Sequence, residues 1–104
     1  MSRVTKCAMS VWAEWGAAET CVDIRSNMNL TQWARAITHR RECEQECVDK
    51  DGPDDGSGLT SLVLEKMREA NTAIDIWIDA GGGVGPLASH ALDATLAWRR
   101  ACPY

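Results

Sequence analysis

The chain has 104 residues and a formal net charge of −4, so we expect one domain that is long enough to bury a single core. The acidic balance argues against a general nucleic-acid-binding protein, which needs a positive surface to displace phosphate counterions, and no apolar run is long enough to cross a bilayer. Phenylalanine is absent, while five tryptophans and fourteen alanines favour an all-α fold with a core of indole rings and alanine methyl groups.

The first predicted helix runs from about Val4 to Arg25, where apolar residues recur at spacings of three and four. The stripe consists of Val4, Ala8, Val11, Trp12, Trp15, Ala18 and Val22. Within this segment, the apolar stretch from Cys7 to Ala13 lies at the lower limit for a signal-peptide core and is followed directly by Glu14. The sequence therefore predicts no signal peptide and a cytoplasmic location.

The second predicted helix begins near Asn29, which together with Gln32 resembles a capping box. Its apolar stripe consists of Leu30, Trp33, Ala34, Ile37, Cys47 and Val48. Arg41 and Glu44 interrupt that stripe, so the C-terminal half of the segment is poorly amphipathic.

Residues 49–58 (DKDGPDDGSG) form the clearest predicted loop, because a proline and three glycines break any helix there. The loop resembles the calcium-binding loop of EF-hand proteins with a two-residue insertion, and Asp49, Asp51 and Asp55 match the acidic positions 1, 3 and 5. The resemblance implies a calcium ion held between two helices. The twelfth position falls on Leu62 instead of a bidentate glutamate, which favours the alternative of an acidic, solvated loop.

The third predicted helix begins at Thr60 or Ser61, either of which could cap it, and ends near Asp79. Its apolar face consists of Leu59, Val63, Met67, Ala70, Ile74 and Trp77. The end of this segment is ambiguous, because three isoleucines occupy alternate positions there, which is the period of a β-strand. A short strand at Ile74–Asp79, and with it a small α+β fold, is the alternative.

A glycine-rich turn at residues 80–85 precedes the fourth predicted helix, which runs from Pro86 to about Ala101 and is stopped by Pro103. Its apolar residues are Leu87, Ala91, Leu92, Ala94, Leu96 and Trp98. Short connections favour antiparallel neighbours, so we expect a small antiparallel four-helix arrangement in a single domain over residues 1–104.

The cysteines and one histidine offer a candidate metal site. Five cysteines are an odd number, which excludes a fully paired disulfide framework and fits free thiols in a reducing compartment. His39, Cys43 and Cys47 share one helix face, but residues i and i+8 lie about 12 Å apart along a helix axis, so only an adjacent pair could hold one zinc ion. Further ligands would come from Cys7, Cys21, His90 or Cys102. The alternative is two inert core cysteines and a surface histidine.

The glycine turn offers a candidate anion or ligand loop at Gly83, Val84 and Gly85. With Ala88 these residues satisfy a loose Gly-x-Gly-x-x-Ala pattern, and the backbone amides at a helix N-terminus attract anions. This interpretation requires a strand at Ile74–Asp79. No βαβ unit can be drawn around the pattern, which favours a flexible linker between two helices.

The sequence contains no catalytic constellation and predicts no bound cofactor, so we expect a non-catalytic protein that acts through association with protein, itself first. Tryptophan is enriched at binding hot spots, although filling a core is its other use. The candidate interface residues are Trp12, Trp15, Trp33 and Trp98. The other two hypotheses are a metal- or thiol-responsive sensor built on the histidine–cysteine group and a small ligand-binding or enzymatic domain built on the glycine loop.

Overall fold

The computed structural model describes residues 3–21, 33–34, 36–50 and 59–102, and four complete helices lie among them. The helices are α1 (Arg3–Cys21), α2 (Arg40–Lys50), α3 (Leu59–Asp79) and α4 (Pro86–Ala101). They pack as a small helical bundle, and these ranges contain no strand, which confirms the all-α prediction. No helix within these ranges is both long enough and apolar enough to span a membrane.

Helices α3 and α4 form an antiparallel hairpin with the most extensive helix–helix packing in the described part of the chain. The alternative of a strand at Ile74–Asp79 is wrong, because α3 continues through Asp79. Ile74 and Trp77 are buried at helical spacing, whereas Ile76 and Ile78 are 49% and 42% exposed. The alternating isoleucines therefore occupy different sides of a helix, and the indole of Trp77 holds the end of α3 in the core.

The turn between α3 and α4 is a helix cap that requires glycine. The amide of Gly82 donates to the carbonyl of Trp77 at 2.9 Å, and the amide of Gly81 donates to the carbonyl of Ile78 at 2.9 Å, which is the Schellman pattern. Gly81 has a φ of 108°, a conformation that side chains with a Cβ rarely adopt. Trp77 Nε1 also donates to the carbonyl of Gly83 at 2.8 Å, so the turn is tied to the core.

The second predicted helix is divided in the structure. Trp33, Ala34 and Ala36 are helical, residues 37–39 form a turn, and α2 begins at Arg40. The turn contains short-range hydrogen bonds, including one from the amide of Arg40 to the carbonyl of Ile37 at 3.1 Å. Threonine and histidine in the turn have modest helix propensity, so little opposes the break. At its other end α2 continues through Lys50, two residues into the predicted loop.

One side of α2 is held to α3 by an ion-pair cluster around Asp75. The Asp75 carboxylate accepts a hydrogen bond from Arg40 Nη2 at 2.6 Å and pairs with Arg41 as well. Arg40 is 6% exposed; burial lowers the pKa of its guanidinium, and the charge of Asp75 opposes that shift. A buried cation is tolerated where a counter-charge replaces water, so Asp75 fixes the start of α2 against α3.

Glu44 makes the second polar connection between α2 and α3. Its carboxylate accepts hydrogen bonds from Asn71 Nδ2 at 2.8 Å and from Arg68 Nε at 3.2 Å. Asn71 is fully buried, so its amide needs this partner. These contacts explain why the segment interrupts its apolar stripe with charged residues: α2 is docked by polar contacts on the side that faces α3.

Candidate metal and thiol site

Three cysteine side chains meet between α1 and α2. The Sγ atoms of Cys7, Cys43 and Cys47 all lie within 4.8 Å of one another. Cys43 and Cys47 are buried, and Cys7 is partly buried. The sequence allows either adjacent pair, His39 with Cys43 or Cys43 with Cys47, to share one ion; the structure brings Cys43 and Cys47 together, and the packing of α1 on α2 adds the third sulfur.

Each helix presents its thiols for a local reason. On α1, Cys7 is one turn from two fully buried residues, Val4 and Val11, so it lies next to the apolar stripe that packs inward. On α2, Cys43 and Cys47 lie beside the face that the Asp75 and Glu44 contacts fix against α3. The cluster therefore forms when α1, which carries Cys7, packs on α2, which carries Cys43 and Cys47.

A small pocket opens beside two of the three thiols. Its volume is about 260 Å³, and its lining includes Lys6, Cys7, Ser10, His39, Cys43 and Glu46. Cys7 Sγ lies 3.9 Å from Glu46 Oε2, with the thiol as donor. Cys47 is fully buried and does not line the pocket. The site therefore has an open side with a carboxylate and a closed side with a buried sulfur.

His39 lies on the rim of the pocket and outside the sulfur cluster. It occupies the turn before α2, and its carbonyl accepts the first hydrogen bond of the helix, from the amide of Cys43 at 2.9 Å. His39 Nδ1 is 2.9 Å from Glu14 Oε2, which directs the ring towards α1. The predicted His39–Cys43–Cys47 set thus contributes its two cysteines to the cluster, whereas the third member that the structure brings to them is Cys7. Metal binding itself stays a prediction.

The sulfur geometry is close to that of a thiolate metal site. Three thiolates bound to one zinc ion at about 2.3 Å lie about 3.8 Å apart in a tetrahedral arrangement. The three sulfurs, each within 4.8 Å of the others, need to draw together by about 1 Å or less to reach that spacing. Side-chain rotation supplies movements of this size. A fourth ligand would come from Glu46, whose carboxylate lies 3.9 Å from Cys7 Sγ, or from a small solute in the pocket.

Cys102 lies in a different environment, beside the indole of Trp12 and the backbone of Trp98. Its Sγ accepts a hydrogen bond from Trp12 Nε1 at 3.4 Å and donates one to the carbonyl of Trp98 at 3.4 Å. Burial raises the pKa of the Cys102 thiol, and the hydrogen bond from Trp12 offsets only part of that shift. This thiol is a core residue, although the sequence offers it as a further ligand.

The four candidate interface tryptophans are all inside the bundle. Trp12 and Trp15 are 4% and 2% exposed, and Trp33 and Trp98 are fully buried. The rings of Trp12 and Trp98 pack with their centroids 4.4 Å apart. Self-association through these residues stays a prediction, and it would require the helices to separate, because each indole is already covered within one chain.

At the other candidate sites, the described residues form no cluster of ligand groups. Gly83, Val84 and Gly85 follow a helix instead of the strand that the Gly-x-Gly-x-x-Ala interpretation requires, and the carbonyl of Gly83 accepts a hydrogen bond from Trp77. The predicted calcium loop falls largely on residues 51–58, outside the described residues. His90 lies on α4 and lines a groove with α3, away from the cysteine cluster.

Comparison with known proteins gives no relative from which a function could be carried over. No family model matches this chain, and neither the curated proteins nor the solved structures contain a match. The chemistry of the cysteine cluster is therefore inferred from the positions of its three sulfur atoms and their surroundings.

Proposed function

We propose that this protein is a metal sensor that binds one thiophilic ion of the Zn²⁺ class through Cys7, Cys43 and Cys47. The proposal rests on one observation: three sulfur atoms from two helices gather within 4.8 Å beside an open pocket. Thiolate ligands select zinc and copper(I) over magnesium and calcium, because soft sulfur suits those ions. The pocket supports a site that keeps one position open to exchange.

The site supports sensing because its ligands come from two helices. Cys7 belongs to α1, whereas Cys43 and Cys47 belong to α2. An ion bound to all three adds its binding free energy to the docking of α1 on α2, since a ligand that binds only the assembled site stabilises it. Loss of the ion removes that contribution and loosens α1. We place the protein in a reducing compartment such as the cytoplasm, where thiols remain available as ligands.

Titration of the reduced protein with Cd²⁺ tests the proposal, because cadmium–thiolate bonds absorb in the ultraviolet. We expect one ion per chain. Cys43→Ser should raise the dissociation constant about 100-fold or more, because it removes a sulfur ligand. The matched control is Cys102→Ser, which makes the same atomic change at a buried thiol outside the cluster and should leave the dissociation constant unchanged.

Two results would contradict the proposal. One is wild-type protein that binds no Cd²⁺ while its thiols are reduced and its helical circular dichroism is intact. The other is equal binding by the Cys43→Ser and Cys102→Ser variants. Amide hydrogen exchange separates sensing from simple binding: chelation should speed exchange in α1 more than in α3, whose partner α4 contributes no ligand.

A further inference from the structure

We infer that Cys7 and Cys43 form the redox pair of this site: a small organic disulfide entering the pocket converts them to a disulfide that releases the metal ion. The consequence for the ion rests on the proposed function, whereas the disulfide chemistry does not. The inference rests on the pocket between the helices, which is lined by Cys7 and Cys43 and not by the fully buried Cys47.

The order of reaction follows from exposure. Cys7 is partly buried and lines the pocket, so it is the thiol that an incoming molecule meets first. Cys43 is 3% exposed but lines the same pocket, which places it to resolve an adduct on Cys7. Cys47 is fully buried and lines no part of the pocket, so it is the thiol least able to reach the adduct from the open side.

The chemistry balances with a small disulfide, RSSR, as the oxidant. The Cys7 thiolate attacks one sulfur of RSSR, forms a mixed disulfide and expels RS⁻. The Cys43 thiolate then attacks Cys7 Sγ and expels the second RS⁻ into the pocket. The two thiol protons end on the leaving groups, so two protein thiols and one RSSR give one protein disulfide and two RSH.

This product differs in structure from the other disulfide that the cluster could form. A Cys7–Cys43 bond joins α1 to α2, whereas a Cys43–Cys47 bond would join consecutive turns of one helix and leave α1 unconstrained. Sulfurs within 4.8 Å need side-chain rotation and a small helix shift to reach the bonded distance of about 2.05 Å. With both sulfurs in a disulfide, only the Cys47 thiol remains for a metal ion.

The test uses 2-hydroxyethyl disulfide as the probe on the metal-free, folded chain. All variants carry Cys21→Ala, because trypsin leaves Cys7 and Cys21 in one peptide, residues 7–25. The parent should become two hydrogens lighter, with residues 7–25 linked to residues 42–50. Cys43→Ser should instead trap one adduct on Cys7, and its yield of internal disulfide should fall about tenfold or more. Cys47→Ser, the matched control from the same helix, should form the disulfide as the parent does.

Three results would overturn the inference. They are an internal disulfide that still forms in Cys7→Ser, an adduct trapped by Cys47→Ser instead of Cys43→Ser, or folded parent protein whose Cys7 and Cys43 stay unmodified while urea-unfolded protein reacts. A Cd²⁺ titration of the oxidised parent completes the test. If the disulfide forms in a chain whose reduced form never binds Cd²⁺, the proposed function alone is rejected. If the reduced chain binds Cd²⁺ tightly but the probe produces no Cys7–Cys43 disulfide, this inference alone is rejected.

Discussion

The cysteine cluster and the Cys102 site place the same functional group in two different settings. Cys47 and Cys102 are both buried, so burial alone does not distinguish the sites. The neighbouring groups distinguish the sites. Cys47 lies with two other sulfurs near a pocket, whereas Cys102 makes hydrogen bonds with an indole and a backbone carbonyl. The neighbouring thiols of Cys7, Cys43 and Cys47 can act together as metal ligands or as a redox pair. The Cys102 thiol instead makes hydrogen bonds with Trp12 and Trp98 and packs in the core.

The largest expected effect comes from removing the indole of Trp98, which packs on Trp12, the hydrogen-bond donor to Cys102. Trp98→Ala should lower the free energy of unfolding by about 3–5 kcal/mol, because Trp98 is fully buried against Trp12. Urea denaturation measures this loss. The number of Cd²⁺ ions bound per folded chain should not change, and a selective loss of Cd²⁺ binding would show that the two regions are not separate.

A smaller effect is expected at the contacts that position α2. Asp75→Asn removes the counter-charge of Arg40, so the free energy of unfolding should fall by about 1–3 kcal/mol, less than for a fully buried pair because Asp75 is 40% exposed. The Cd²⁺ dissociation constant should rise about tenfold, since Asp75 helps to fix α2. Asp79→Asn, on the exposed end of the same helix, is the control. Equal effects of the two substitutions would count against this positioning role.

Alkylation rates compare the two thiol environments directly. In folded, metal-free protein at neutral pH, Cys7 should react with iodoacetamide at least about tenfold faster than Cys102, which lies in the core and has a raised thiol pKa. Peptide mass spectrometry after timed quenching measures both rates. Cd²⁺ should protect Cys7 and leave Cys102 unaffected; protection of both thiols would mean that the ion acts on the whole fold.

The smallest effect is a pH dependence from Cys102. Because its pKa is raised in the folded state, the unfolded chain loses the thiol proton first, and stability falls as the pH rises above the unfolded value of about 8.5. This single group contributes a slope of at most about 1.4 kcal/mol per pH unit. Urea denaturation from pH 7 to pH 10 should show a shallower decline for Cys102→Ala than for wild type. Identical slopes would show that this thiol does not titrate as proposed.

The helical hairpin was predictable because local signals and packing agree there. Pro86 marks the start of α4, and the buried face of α3 repeats at helical spacing through Trp77. The alternating isoleucines suggest a strand only when burial is unknown. The glycine-rich turn is also predicted from the sequence. Its role as a helix cap follows only from the backbone conformation at Gly81.

The cysteine site was only partly predictable because it depends on contacts between distant segments. The spacing of Cys43 and Cys47 places both on one helix face, but nothing local selects Cys7 from the other possible ligands. His39 lies outside the cluster, because its ring pairs with Glu14 of α1, a contact that the helical pattern does not reveal. The position of Cys7 next to the buried stripe of α1 was the available signal, and it acquires meaning only once α1 packs on α2.

X-ray absorption at the zinc edge of protein loaded with one Zn²⁺ per chain gives the most direct test of the sulfur site. We expect three sulfur atoms at about 2.3 Å from the zinc ion and one oxygen or nitrogen ligand. The Cys43→Ser variant should lose one sulfur from that shell, and Cys102→Ser should keep all three. A shell made only of oxygen and nitrogen in the wild-type protein would contradict a metal site formed by Cys7, Cys43 and Cys47.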